Sequence, residues 1–542
     1  MSERSETPPV APSWGLQTAV VGAVILVRAI LGTQPHSGQD NHHGATDQTG
    51  AYGGDYEAQR HWMELTVHVP MGADWYYTDL DYWGLDYPPL SAYQSWVCGK
   101  LSEWLVGSES VAWQTSRYGN YYNPAVHKTL LRATVIAFDM LCYGTAAWMW
   151  TSKGRPQQPS YKSLQQFAIV MLQPSILLID HGHFQYNTAA LGLALWAFYC
   201  FPRPDWLWPV AGSIFFCCAL SFKQMTLYYA PAVFSYLLGR CFRHGLSYRE
   251  RVRRFFLLGV TVVATFLVTW WPIVAFGPAN TTPLERLLHI LRRIFPLQRG
   301  LFEGKVANLW CALSVRPFRI RQRLPTAWQP LAALLLTFGM ILPACAKLFT
   351  IGRQRMASAP SLRHHQRSLL WGVTNTALAF FLVSFQVHEK SLLMAVAPLT
   401  LLGLFGDDNF VNWFSLVATW TLWPLLVLDR LQVAYVCTTV LFLSLRIGLS
   451  ELQSEQEMQV DKGIFVQRQC HTWELLTWIP ALTTLVTVGL HVAEAFWEPP
   501  NTIPDLFPVL WSVVGCGLCI FAWMVSVWEL YRSENHVKEK TS

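Results

Sequence analysis

Apolar runs of membrane-crossing length recur along this chain from end to end. The first, residues 15–31, follows a short polar stretch and carries no small-residue cleavage signal, so it reads as an uncleaved span. A polar, aromatic-rich segment then extends to about residue 128. Further runs fall near 129–150, 164–181, 187–200, 207–222, 224–240, 255–276, 328–348, 369–386, 391–405, 411–428, 432–449, 473–493 and 508–530. At about 20 residues per crossing these predict about 14 transmembrane helices, roughly half the chain. Several runs are short or contain Pro and Gly, which a membrane helix tolerates where neighbours satisfy its backbone. The organisation expected is a cytosolic N-terminus (1–14), a first transmembrane helix (15–31), a large lumenal loop (32–128), transmembrane helices (129–276), a basic lumenal loop (277–327), more transmembrane helices (328–530) and a cytosolic tail (531–542).

Composition agrees with that pattern and excludes the alternatives. Of 542 residues 52% are hydrophobic and only 14% charged, against about 25% charged in soluble domains. Soluble globular and disordered classes are therefore out. Twenty-six Trp and twenty Tyr suit anchoring at the membrane interface. Most of the twelve Cys lie within apolar runs, so no disulfide framework is expected, and Cys516-Gly-Leu-Cys519 reads as buried small residues rather than a redox couple. No basic stretch is interleaved with aromatics on a soluble module, which leaves nucleic acid without support.

Net charge is only +6, but its placement is informative. With the N-terminus cytosolic, 22 of the 40 Lys and Arg fall on the cytosolic side, as the positive-inside rule requires. Sixteen fall on the other side, nine of them within 277–327. Asn280-Thr281-Thr282 is a glycosylation sequon in that segment, which puts 277–327 in the lumen and leaves its charges to be explained.

The residues able to carry chemistry gather at span ends on the lumenal side. Gly54-Asp55-Tyr56-Glu57-Ala58-Gln59-Arg60-His61-Trp62 and Asp79-Leu80-Asp81-Tyr82-Trp83-Gly84-Leu85-Asp86-Tyr87-Pro88-Pro89-Leu90 set carboxylates among aromatics. Aromatic faces pack on sugar rings and carboxylates accept hydroxyl protons; equally, such acids cap helices in a folded loop. Asp180-His181-Gly182-His183-Phe184-Gln185-Tyr186-Asn187 joins two spans with almost no loop. Its His-x-His spacing permits a metal, but no further ligand is near, which favours a hydrogen-bonded turn lining a cavity. Lys223 sits in another tight turn, where an ammonium either faces a phosphate or snorkels to the interface. Arg292-Arg293 and Arg299 belong to the basic loop and suit an anionic partner or an ordinary charged surface. Ser384-Phe385-Gln386-Val387-His388-Glu389-Lys390 puts three ionisable groups into a hairpin, either for a substrate or for one another. Arg132 and Asp139, seven apart, are expected to pair inside the bundle, and Asn41-His42-His43 reads as a flexible insertion.

Taken in order, Gly-Asp-Tyr-Glu-Ala-Gln-Arg-His-Trp, Tyr-Trp-Gly-Leu-Asp-Tyr-Pro-Pro-Leu, Asp-His-Gly-His-Phe-Gln-Tyr-Asn, Phe-Lys-Gln-Met, Lys-Val-Ala-Asn-Leu-Trp-Cys and Phe-Gln-Val-His-Glu-Lys resemble the ER dolichyl-phosphate-glucose α-1,3-glucosyltransferases. Around Glu57–His61 the chain is most similar to the branch that adds the first glucose to the nine-mannose lipid-linked oligosaccharide in N-glycosylation. The resemblance implies a GT-C membrane fold, an ER location and a lumenal active site. It also implies an inverting transfer from β-linked dolichyl phosphate glucose to a dolichyl-diphosphate-linked oligosaccharide, within ER membrane lipids. Neither metal nor any other cofactor is expected. By motif, Asp55 would be the base, and Asp86, Glu57, Arg60, His181 and His183 would line the substrate site. Lys223, Arg299, His388 and Lys390 would serve the donor phosphate. Two departures stand out: a longer Ser37–Gly54 link with Gly53 before Gly-Asp, and Gly304 where the family carries Asp. The paralogous branch adding the second glucose is the nearest alternative. A lipid-linked sugar transporter is a further one, although no internal repeat supports it. Lys538-Glu539-Lys540-Thr541-Ser542 looks like an ER-retrieval signal on a cytosolic tail.

Overall fold

The structure, a computed structural model, describes residues 12–38, 42–43, 51–52, 54–113, 125–152, 159–295, 301–302, 306–356, 358–460 and 478–532. Each predicted apolar run coincides with helical structure over its described residues, apart from breaks at 172–173 and 422 and non-helical ends at 276 and 384–386. The protein is an all-helical, multi-pass membrane protein. The exception is a two-residue antiparallel pairing of His42–His43 with Ala51–Tyr52, so part of the stretch expected to be flexible forms a hairpin.

Among the described residues six helices are long and apolar enough to cross a membrane: Trp14–Gly32, Ala125–Thr151, Tyr248–Ala275, Thr326–Gly352, Trp478–Phe496 and Leu506–Arg532. Tyr161–Met171 and Pro174–Phe184 together make a seventh, bent by 49°. Pro174 cannot continue the preceding helix, and the Gln173 side chain caps the next one by accepting from the Ser175 N–H at 2.8 Å. Shorter apolar helices include Asn187–Cys200 and Leu207–Phe222.

Burial sorts these helices into a centre and a rim. Leu393–Leu402 is buried throughout and Ala359–Val383 along most of its length. Trp478–Phe496 has no buried residue. Outward-facing Leu and Val on such a helix need no covering when the solvent is lipid. Inside, small residues allow close helix crossings: a Cβ on Gly239 would lie 2.3 Å from the Phe349 carbonyl oxygen, so only Gly lets those two backbones touch.

The pair expected between Arg132 and Asp139 does not form. Seven residues is two turns, about 10 Å along the axis, beyond the three- and four-residue spacings at which helix side chains meet. Asp139 instead takes Arg28 from the first helix, Nε to Oδ2 at 2.6 Å, with both side chains fully buried. Arg132 donates to the carbonyl oxygens of His181 and Gly182 at 2.6 and 3.1 Å. Those carbonyls lie in a π-helical turn, Leu178–Phe184, whose wider winding leaves acceptors free.

The two large polar segments pack against one another. Pro283–Ile294 is an amphipathic helix opened by a Thr282–Glu285 capping box. Its Ile290 and Ile294 join Trp62, Trp75, Tyr76 and Leu85 of the first loop in one core. Its basic face holds carbonyls: Arg286 donates to Ala275 at 2.7 Å, Arg293 to Gly84 at 2.8 Å and His289 to Tyr76 at 2.9 Å. Of the charges that break the positive-inside pattern, Arg293 thus fastens this helix to the first loop and Arg286 ties it to the end of the preceding helix, while the His289 ring adds a second bond to the first loop.

Candidate active site

The first acidic motif begins with a sharp entry into a helix. Gly54 has φ +93°, which favours Gly, and a Cβ there would lie 2.4 Å from the Ser37 carbonyl oxygen. The chain turns at Gly54 into the helix Asp55–His68. With no hydroxyl at Gly54, the Ser37 side chain caps this helix from 18 residues upstream. Its Oγ accepts from the amides of Asp55 at 2.8 Å and Tyr56 at 3.3 Å. The Ser37 N–H donates to the His183 carbonyl at 3.3 Å, so one residue ties the Asp55 helix to the His183 turn.

Three further side chains converge there. His183 Nε2 is 2.7 Å from Asp55 Oδ2, and its Nδ1 is 2.5 Å from Asp429 Oδ2. Lys390 Nζ donates to Asp55 Oδ2 and lies 3.1 Å from His183 Nε2. Exposure separates the four. The Asp55 and Lys390 side chains are 27% and 19% exposed, those of His183 and Asp429 only 5% each. Asp55 and Lys390 face the accessible side; the other two stand behind. Burial raises the Asp55 pKa, but Lys390 and His183 outweigh it and hold the carboxyl well below the usual range. At Lys390 burial lowers the pKa, and the facing Asp55 carboxylate reverses this and lifts it above the ordinary lysine value.

The remaining residues singled out in the sequence divide by location. In the Asp180 motif each polar side chain has its own task. Asp180 caps the following helix, accepting from Thr188 N–H at 2.6 Å and from Asn187 Nδ2 at 2.6 Å. His181 turns away from His183 and meets Asp139 at 2.7 Å, so the two imidazoles do not share one cavity. Among the described residues no group of three or more His, Cys, Asp or Glu is placed to hold a metal. Lys223 is buried and donates to Asn187 Oδ1 at 2.5 Å and Gln185 Oε1 at 3.1 Å. It borders a narrow cleft lined by Gln59, Tyr87, Ser91, Gln94 and Gln185. Asp86 is half-buried and acts electrostatically on Tyr87 and Lys223.

Glu57 and Arg60 are buried and bonded to one another at 2.9 and 3.0 Å, with Glu64 as the second partner of Arg60 and the Tyr82 hydroxyl on Glu57. Their charges are used inside the loop core. His388 is exposed two residues before Lys390. Arg299, Gly304 and the C-terminal dilysine string lie outside the described residues. Asp429 was not among the sequence candidates. A lone acid in the short turn between the runs 411–428 and 432–449 was the available signal, a weaker one than the three ionisable groups that drew attention to the Lys390 hairpin.

The chain matches the ALG6, ALG8 glycosyltransferase family over residues 24–525. It belongs to this family. Among its relatives are proteins named dolichyl pyrophosphate Man9GlcNAc2 alpha-1,3-glucosyltransferase. The one from Gallus gallus is 36% identical over 97% of this chain and 99% of its own length. That from Mus musculus is 36% identical over 90% and 93%, and that from Saccharomyces cerevisiae 32% identical over 97% and 93%. As a member of the ALG6, ALG8 family the protein is a glycosyltransferase, and the Asp55–His183–Lys390–Asp429 cluster is its candidate centre. Such a cluster can take a proton at Asp55 and meet an anion at Lys390.

Proposed function

We propose that the protein transfers the first glucose from dolichyl phosphate glucose to the nine-mannose, dolichyl-diphosphate-linked oligosaccharide in an α-1,3 linkage. We place the reaction at the lumenal face of the ER membrane, with both termini cytosolic. The names borne by its relatives support the acceptor. The asymmetric distribution of Lys and Arg and the sequon at the exposed Asn280 support the orientation.

The observation that carries the chemistry is the accessible Asp55 carboxylate beside the Lys390 ammonium. A β-linked donor and an α-linked product require one inversion, hence a single in-line displacement. The acceptor 3-hydroxyl oxygen forms its bond to the anomeric carbon as the carbon–oxygen bond to phosphate breaks. The electron pair leaves with the phosphate oxygen, and Asp55 takes the hydroxyl proton. Negative charge therefore moves from Asp55 to the departing phosphate. Lys390, bonded to Asp55, is within reach of both ends of that movement, and an arriving phosphodiester competes with Asp55 for it. A fixed cation in a poorly solvated site stabilises such developing charge strongly. Side-chain cations thus do the work that a metal performs in other transferases, and no cofactor is invoked.

Purified protein given dolichyl phosphate glucose and lipid-linked acceptors with and without one glucose tests this reading. Transfer to the unglucosylated acceptor alone is expected. Transfer only to the monoglucosylated acceptor assigns the protein to the second-glucose branch, and no transfer to either overturns the reading.

A further inference from the structure

Both nitrogens of His183 face carboxylate oxygens, Asp55 Oδ2 at 2.7 Å and Asp429 Oδ2 at 2.5 Å. An ionised carboxylate only accepts, and a neutral imidazole donates from one nitrogen alone. One proton would leave a ring lone pair against an anionic oxygen. Hydrogens on both nitrogens satisfy both contacts. With Lys390 the cluster then holds two negative and two positive charges, which suits a buried site.

Asp429 reaches His183 through a fitted turn. Leu431, fully buried, rests on Gly182, where a Cβ would lie 2.9 Å from Leu431 Cδ1. The missing side chain between the two histidines lets the 429–431 turn rise to the ring. From these contacts we propose that Asp429 is a positioning residue of the transfer reaction, holding His183 as the doubly protonated imidazolium against the Asp55 carboxylate. This rests on Asp55 being the base. The imidazolium donates to Oδ2 and leaves Oδ1 free to accept the acceptor hydroxyl. It also supplies, with Lys390, the positive surroundings that keep Asp55 ionised. Other charged groups act on the cluster from neighbouring elements: Arg132 on Asp429, Glu389 on Lys390, and Lys223 on Asp55 and Lys390. Lys390 Nζ, 3.1 Å from His183 Nε2, is the facing cation that opposes the second ring proton, against the two carboxylates that favour it.

The test is the pH dependence of single-turnover transfer in the full-length, detergent-purified protein, with donor KM measured alongside. Asp429→Asn removes the charge that favours the second ring proton. With one cation fewer, Asp55 should titrate higher, and the acid limb of the rate profile should move up by about 1–3 pH units. Donor KM should change little, and Asp429→Glu should return the limb towards the wild-type position. His183→Gln removes the imidazolium directly and should move the limb in the same direction, which covers the case of an Asp429→Asn protein that does not fold. An unmoved limb in His183→Gln, or a uniform loss at every pH in Asp429→Asn that Glu does not rescue, overturns the proposal. Asp55→Asn serves as the separate control: if it keeps its turnover, the base assignment itself is wrong, whatever Asp429 does.

Discussion

Asp55 is set apart from the other acids of its loop by what it touches. Glu57 and Glu64 are consumed by Arg60 in the loop core, whereas Asp55 keeps part of its carboxylate open. Asp55→Asn retains size and an acceptor oxygen but cannot take a proton. It should fold and bind donor normally yet lose about 10²–10⁴-fold in turnover, while Asp86→Asn should lose less. If Asp86→Asn is dead and Asp55→Asn active, the roles are exchanged. The charges at the site also fix a pH window. Asp55 titrates below its unfolded value of about 3.9, so its ionised form adds stability above that pH, lost as pH falls through the folded value. Lys390 titrates above its unfolded value of about 10.4, so its contribution is present below that and lost as pH rises through the folded value. Between about pH 5 and 9 the pair should stay charged, and Lys390→Met should bring the acid limb of the rate profile upward. His181 and His183 are engaged with carboxylates, so chelator should leave turnover nearly unchanged; loss of activity restored by a divalent ion would make them ligands.

At the scale of elements, the entry to the Asp55 helix is the vulnerable joint. Ser37→Ala removes a cap of the kind worth about 0.5–2 kcal/mol and loosens the tie to the His183 turn. It should lower the thermal midpoint modestly and turnover more. Gly54→Ala meets both an unfavourable φ and the Ser37 carbonyl, and should cost more than Ser37→Ala by both measures. In the bundle, Asp139→Asn leaves Arg28 buried without its counter-charge, a type of loss worth about 3–5 kcal/mol, read as a large fall in the detergent unfolding midpoint. The helices themselves were legible because apolar runs of span length are a strong signal. So was the Asp55 motif, through its glycine and its clustered acids. Periodicity misled at Arg132 and Asp139, because spacing along one helix says nothing of Arg28 arriving from another. The opposite directions taken by His181 and His183 follow from a two-residue spacing within helical winding, which went unread because the motif looks in sequence like a turn between spans. Asp429 escaped notice because a single acid at a turn is ordinary until the fold supplies its histidine.

For the molecule as a whole, the packing of Pro283–Ile294 onto the first loop puts both segments on one side of the membrane. Treatment with an endoglycosidase should shift the protein's mobility if Asn280 is modified. A membrane-impermeant label applied to the cytosolic face of sealed microsomes should not reach residues 286–293; labelling there would sink the shared lumenal orientation. The four side chains of the cluster come from positions 55, 183, 390 and 429, spread over most of the chain. A ribosome delivers them in that order, so on the orientation proposed above Asp55 enters the lumen long before its last partner exists. Nascent chains stalled before residue 429 should accordingly show no transferase activity even though the first loop has already been inserted. Two separately translated fragments divided within 461–477 should recover activity on co-insertion, because all four groups then lie on the first fragment and only the two final helices on the second. Moving the break to a point between 390 and 429 makes the cluster itself depend on fragment pairing, and recovered activity should then vary with the amount of second fragment supplied.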